Sequence, residues 1–122
     1  MPTQIIHSKS AEHYTWGGPR GVACDGWHLV STPELSVIEE LMPPGTSETR
    51  HSHVHARQFF FVLEGELTVE VELDDFVLRA GDGLEISPGQ PHQAMNGARA
   101  LCVCWSPVNL RVMAIESTYR DL

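Results

Sequence analysis

The sequence predicts an all-β protein, an antiparallel sandwich or barrel with a metal site at its mouth. Three observations carry that expectation. Apolar, β-rich stretches of about four to eight residues recur, with a turn signal about every ten residues. No amphipathic helical pattern of about ten residues or more stands out. Three histidines, His51, His53 and His55, occupy alternate positions shortly before an apolar run, Phe59 to Leu63. Alternate side chains of an extended chain point to one face, so these imidazoles start out side by side.

Composition narrows the class. The chain has 122 residues, 42% of them hydrophobic, as expected for one soluble globular domain spanning 1–122. A domain of this length buries roughly two thirds of its unfolded surface and needs no disulfides. Cys24, Cys102 and Cys104 make an odd count, and MPTQIIHSKSAEH lacks the apolar core of a secretion signal. The expectation is a cytoplasmic protein with free thiols. Cys102 and Cys104 alternate in LCVCW and read as small buried hydrophobes on one strand face. The formal net charge of -8 argues against a nucleic-acid partner, because phosphate binding needs a basic footprint. No apolar run approaches the ~20 residues of a membrane span.

The elements follow in order. Residues 1–26 are rich in Gly, Pro and polar types and read as an N-terminal arm, with Gly17 to Gly21 as a turn or loop. Trp16 and Trp27 are packing anchors there. The β-like text starts at Trp27 with WHLV, and STPE is a turn signal. Leu35 to Met42 reads as a strand, stopped by Pro43-Pro44-Gly45. Gln58 to Leu63 is the next strand, with Glu64-Gly65 as a tight hairpin turn. From Glu66 to Leu73, Leu67, Val69, Val71 and Leu73 face one way, and Glu66, Thr68, Glu70 and Glu72 the other. That is a half-buried antiparallel strand with a wet, acidic face.

Asp74-Asp75 turns into a strand from Phe76 to Arg79, and Ala80 to Gly83 turns again. Leu84 to Ser87 is a short strand closed by Pro88-Gly89. A polar bend at Asn96-Gly97 leads into Ala100 to Trp105, apolar enough to be covered on both faces. Pro107 breaks that strand. Val108 to Glu116 reads as a last strand and 117–122 as a tail.

His51 and His53 share a strand face about 7 Å apart at the backbone, close enough to converge on one ion. Imidazole suits borderline divalent metals. Gln58 faces the same way only if the chain turns between Val54 and Arg57. His92 follows the rigid bend Ser87-Pro88-Gly89-Gln90-Pro91, which can aim a side chain back into a barrel. Arg57 reads as a solvated arginine at the rim. If Phe60 and Val62 line the cavity with Gln58, then Phe59, Phe61 and Leu63 face outward. A row that apolar needs a cover: a second sheet, the N-terminal arm or a second subunit.

Two spaced patterns run through this region, within residues 43–96. Gly45, five residues, His51-x-His53, four residues, Gln58, six residues and Gly65 form the first. Gly81, five residues, Ser87-Pro88-Gly89, two residues, His92, three residues and Asn96 form the second. Together they resemble the two motifs of the cupins, and the chain resembles a small single-domain microbial member. The resemblance implies a double-stranded β-helix, or jelly-roll barrel, and commonly a homodimer. It implies one divalent ion, of the Zn, Ni, Fe or Mn kind, on His51, His53, Gln58 and His92. Gln58 stands where the family ordinarily has glutamate, and Ser87 where it has proline. The first change leaves the ligand set neutral and the ion with its full double charge, so affinity falls while Lewis acidity toward a bound anion rises.

His55 offers two alternatives. It swings inward as a further ligand, as in a three- or four-histidine site like that of the cupin thiol dioxygenases. Otherwise it stays at the rim as the general base within reach. The implied function is a metal-dependent enzyme, of dioxygenase or isomerase type, acting on a small polar or anionic molecule. The other reading is a small-molecule-binding cupin without turnover. Cupins host many activities, so the fold does not choose between them.

Overall fold

The computed structural model describes residues 3–17 and 23–106. Within them a short 3-10 turn, Ser8–Ser10, precedes eight strands. These are β1 (Glu12–Gly17), β2 (Ala23–Ser31), β3 (Leu35–Met42), β4 (Arg57–Val71), β5 (Asp74–Arg79), β6 (Gly83–Ile86), β7 (His92–Met95) and β8 (Ala98–Trp105). The all-β expectation holds. The turn expected at Gly17 to Gly21 falls largely outside the described residues, and the strand and tail expected after Pro107 lie wholly outside them.

All pairings are antiparallel and form two sheets that share β4. The first runs β1-β2-β3-β8-β4-β6, using the first half of β4. In the second, β5 and β7 flank the later half of β4. β3 spans the expected Leu35 to Met42, bounded by the prolines that follow. β2 begins at Ala23, ahead of the expected Trp27. Glu12–Gly17, expected within an irregular arm, is an edge strand paired with β2.

The Glu64-Gly65 hairpin is not formed. β4 runs straight through it as one strand of 15 residues. Its register against β8 slips between Val62 and Glu64, and Gly65 has φ of 87°. One extra residue beside a left-handed glycine bends and twists a strand without reversing it. The bend carries β4 from one sheet into the other. It also shifts the phase of the inward side chains. Phe60 and Val62 are buried before it, and Leu67, Val69 and Val71 after it.

The reversal comes at Glu72-Leu73, between the paired Val71 and Asp74, just before the expected Asp74-Asp75. Glu72 adopts a φ of 59° there. Leu73, expected inside with Val71, sits at the tip and is 90% exposed. Thr68, expected on the wet face, is buried and accepts a hydrogen bond from Asn96 Nδ2 at 3.1 Å.

The core lies between the sheets and gathers Cys24, Met42, Phe60, Val62, Leu67, Val69, Ile86 and Ala94. β8 is covered on one face, not both. Ala98, Ala100, Cys102 and Cys104 are buried, but Trp105 is 47% exposed. The outer face of this sheet also presents Phe59 at 39% and Leu63 at 37% exposure.

Candidate metal centre

His51 and His53 belong to the extended segment before β4, and His92 opens β7. That segment is laid along β7 by backbone hydrogen bonds. Asn96 N donates to Thr46 O at 2.9 Å, and Glu48 N to Ala94 O at 3.0 Å. His51 N donates to His92 O at 3.0 Å, and His92 N to His51 O at 2.8 Å. Gly89 N, in the turn before β7, donates to His53 O at 2.7 Å. Gly89 has φ of 83°, a conformation that glycine adopts without steric cost. The pairing therefore brings two distant stretches of chain together at their histidines.

One ligand nitrogen from each of His51, His53 and His92 lies within 4.8 Å of the other two. The ring centroids are 4.5 Å apart for His51 and His92, 5.0 Å for His51 and His53, and 5.6 Å for His53 and His92. All three side chains are buried. These three histidines can hold a metal ion.

The hydrogen bonds of the rings fit that role. His92 Nδ1 lies 2.9 Å from Gln90 O, so it carries the proton and leaves the lone pair on Nε2. His92 Nε2 is buried with no hydrogen-bond partner. His51 Nδ1 likewise lies 2.8 Å from Thr49 O. Carbonyl contacts of this kind fix the tautomer and orientation of metal-binding imidazoles. Burial lowers the pKa of His92, the Gln90 carbonyl opposes that shift, and the Arg50 guanidinium adds to it. The ring is thereby favoured in the neutral form that a metal requires.

Gln58 lies on the inner face of β4, 3% exposed. The chain bends at Val54-His55, the turn this orientation needed. Its amide nitrogen donates to Cys102 Sγ at 2.9 Å, and its Oε1 is buried without a hydrogen-bond partner. His55 is exposed and stands outside the three-histidine group. Arg57 is exposed, in keeping with a solvated arginine, and is paired with Glu85 on the outer face.

One residue beside the histidines was not singled out from the sequence. Glu48 is 6% exposed, and its Oε2 lies 3.6 Å from His51 Nδ1. The only sequence signal was its spacing three residues before His51. A loop carboxylate reads as solvated until its burial is known.

The Cupin domain family model matches residues 38–105. An uncharacterized protein of Methanocaldococcus jannaschii is 26% identical over 76 residues, covering 59% of this chain and 61% of that protein. The match thus spans less than two thirds of that relative's length. Among solved structures, the chain is similar to a predicted oxalate decarboxylase of Thermotoga maritima. The TM-score is 0.78 at 21% identity, over 85% of this chain and 100% of that one. It is also similar to an RmlC-like cupin of Shewanella frigidimarina, with a TM-score of 0.72 at 26% identity over 88% and 94% of the two chains. The family match runs from β3 to the end of β8 and takes in both spaced patterns and all three clustered histidines. The chain belongs to the cupin family.

Proposed function

We propose that this cupin holds one divalent transition-metal ion and binds a small polar or anionic metabolite at it. The single observation that carries the reading is His92. Its ring is anchored through Nδ1, which leaves the buried Nε2, without a hydrogen-bond partner, available as a ligand in the three-histidine group. Leaving a buried polar atom unmet costs about 1–3 kcal/mol, which a bound ion removes. His51, His53 and His92 supply three nitrogens, and Gln58 Oε1 the fourth donor. Nitrogen-rich ligation with one amide oxygen suits Zn, Ni or Fe, and Mn less well.

When bound, the ion supplies Lewis acidity toward a carbonyl or enolate oxygen of the metabolite. The neutral donor set leaves net positive charge at the site, which favours an anion. Phe60 and Val62 continue the inner face of β4 as an apolar wall. His55 stands at the rim as the proton acceptor, in a reaction of dioxygenase or isomerase type. The similarity to a predicted oxalate decarboxylase supports the fold only, but its named substrate class is a small anion. The exposure of His55 favours a second reading, a cupin that holds its metabolite without turnover.

Two further expectations belong to this reading. The outer apolar face of Phe59, Phe61, Leu63, Val103 and Trp105 is covered by a second copy of the chain. The protein resides in the cytoplasm, where Cys24, Cys102 and Cys104, all buried and outside any disulfide, stay reduced. No helix among the described residues is long and apolar enough to cross a membrane.

Elemental analysis of protein purified without a histidine tag tests the metal. We expect about one transition-metal ion per chain. No metal, and no uptake on titration, overturns the reading. Oxygen consumption across a panel of thiols, enediols and phenols tests turnover. A flat response combined with tight metabolite binding by thermal shift selects the binding cupin.

A further inference from the structure

We propose that Glu48 is a positioning residue for the metal, supplying from behind His51 the negative charge that the donor set lacks. The inference rests on the metal-binding reading of the histidine cluster and adds a residue that neither cupin pattern contains.

Glu48 is held from several sides. Its backbone N donates to Ala94 O at 3.0 Å. Its Oε1 accepts from Ala94 N at 3.3 Å, and Gln93 Nε2 donates to its carbonyl oxygen at 2.7 Å. The carboxylate is thus fixed to β7, two residues from His92. Its other oxygen, Oε2, lies 3.6 Å from His51 Nδ1. The two side chains are 8% and 7% exposed.

The 3.6 Å separation is too long for a hydrogen bond. The proton on His51 Nδ1 is instead directed to Thr49 O at 2.8 Å. Glu48 therefore acts through charge and packing. In this buried setting the interaction is screened far less than at the surface.

A buried carboxylate is costly unless positive charge lies near it. A divalent ion held by three neutral imidazoles and an amide has the opposite deficit, because no ligand offsets its charge. An ion taken by the other ring nitrogen of His51 would have Glu48 across the imidazole from it, and each charge would lower the cost of the other. The same placement raises the basicity of His51 toward the metal. It also explains how Gln58 is tolerated where the resembled motif has glutamate: the carboxylate sits one layer out.

Zn(II) affinity of the metal-free full chain, measured by competition with a chromophoric chelator, tests this. Glu48→Gln preserves the shape and the acceptor for Ala94 N while removing the charge. We expect it to weaken Zn(II) binding about 10–100-fold, the range for residues that orient metal ligands. The double variant Glu48→Gln/Gln58→Glu moves the charge inward. We expect its affinity to lie close to that of Gln58→Glu alone, whereas a purely structural role for Glu48 carries the same loss of about 10–100-fold into both backgrounds. Equal affinity of wild type and Glu48→Gln, or a loss of the same size with Gln58 and with glutamate at position 58, overturns the inference. Circular dichroism of each metal-free variant confirms that it is folded. If Glu48→Gln does not fold, the double variant against Gln58→Glu alone gives the same comparison. Little further gain from Glu48 once Gln58 is glutamate supports the inference, and a full 10–100-fold gain overturns it. Wild type that takes up no Zn(II) removes the metal reading itself, a result distinct from any pattern among the variants.

Discussion

His51 and His92 exchange both backbone hydrogen bonds, N to O at 3.0 Å and 2.8 Å. The pair is an isolated antiparallel bridge beside the regular strands. Directly opposed residues in such a bridge project their side chains to the same side, and these two ring centroids lie 4.5 Å apart. The candidate metal centre is therefore a consequence of backbone register. A one-residue slip would turn one imidazole out of the site.

The turns that set this register can be tested separately. Gly89 and Gly97 flank β7 and constrain it for different reasons. At Gly89 a Cβ meets nothing within 4 Å, but φ is 83°. Gly89→Ala should cost about 1–2 kcal/mol through backbone strain alone. At Gly97 a Cβ would lie 2.4 Å from Pro44 N and 2.6 Å from Met42 O. Those are backbone atoms of the strand end and proline stop, which cannot swing aside. Gly97→Ala should cost about 3 kcal/mol or more. Urea denaturation of the two variants should rank them in that order; the reverse order would contradict the packing.

Metal uptake should discriminate among the histidines. His92→Ala removes the ring whose Nε2 is buried without a hydrogen-bond partner and should abolish binding within the range of isothermal titration calorimetry. His55→Ala should leave it within about twofold, since an exposed residue outside the cluster contributes little. Gln58→Glu should tighten it at least about tenfold, because a carboxylate then faces the ion directly. Unchanged affinity in Gln58→Glu would place residue 58 outside the donor set.

Much of this was legible before the structure, and the failures have physical causes. β3 could be bounded because two prolines and a glycine follow Met42. The histidine pairing could be read because alternation and a rigid Pro-Gly bend are local signals. Glu64-Gly65 misled, since an acidic residue and a glycine between two alternating runs resemble a hairpin turn. The phase did not separate the two: inward positions are even up to Val62 and odd from Leu67, which one inserted residue explains and a two-residue turn that pairs Val62 with Leu67 explains equally. β1 was missed because Glu12, His13 and Thr15 on an edge strand carry no apolar pattern. Glu48 was invisible because the burial of a carboxylate is decided by β7, above all Ala94, which only the tertiary fold brings near.

The thiols make a prediction with a definite sign. Burial raises the pKa of Cys24. The neighbouring Cys104, then burial, raise that of Cys102 well above its ordinary value. A raised folded-state pKa means that the native chain holds these protons to higher pH than the unfolded chain. The associated stability is complete below the unfolded thiol value, about 8.5, and declines as pH rises above it. Native protein at pH 8 should resist a disulfide exchange reagent, and all three thiols should react once guanidinium is added. Rapid reaction of the native chain would contradict the burial of these side chains.

The outer face of the first sheet gives the last prediction. Phe59 and Phe61 lie nearly parallel, with ring centroids 6.4 Å apart and planes at 21°. Trp105 and Leu63 leave about half and a third of their surface open. Such a contiguous apolar row is unfavourable against water. A second copy related by a two-fold axis would cover it with the same row, at the cost of no new chemistry. A stable dimer of this kind needs about 800 Å² from each partner, which aromatic side chains of this size supply efficiently. Light scattering should give twice the chain mass for wild type, and one chain mass for Phe61→Glu or Trp105→Glu. Both variants should keep their metal affinity, because the substituted side chains lie on the opposite face of the sheet from the histidines. A wild-type monomer at micromolar concentration would leave the row uncovered by a second copy. A dimer that survives both substitutions would place the interface elsewhere on the barrel.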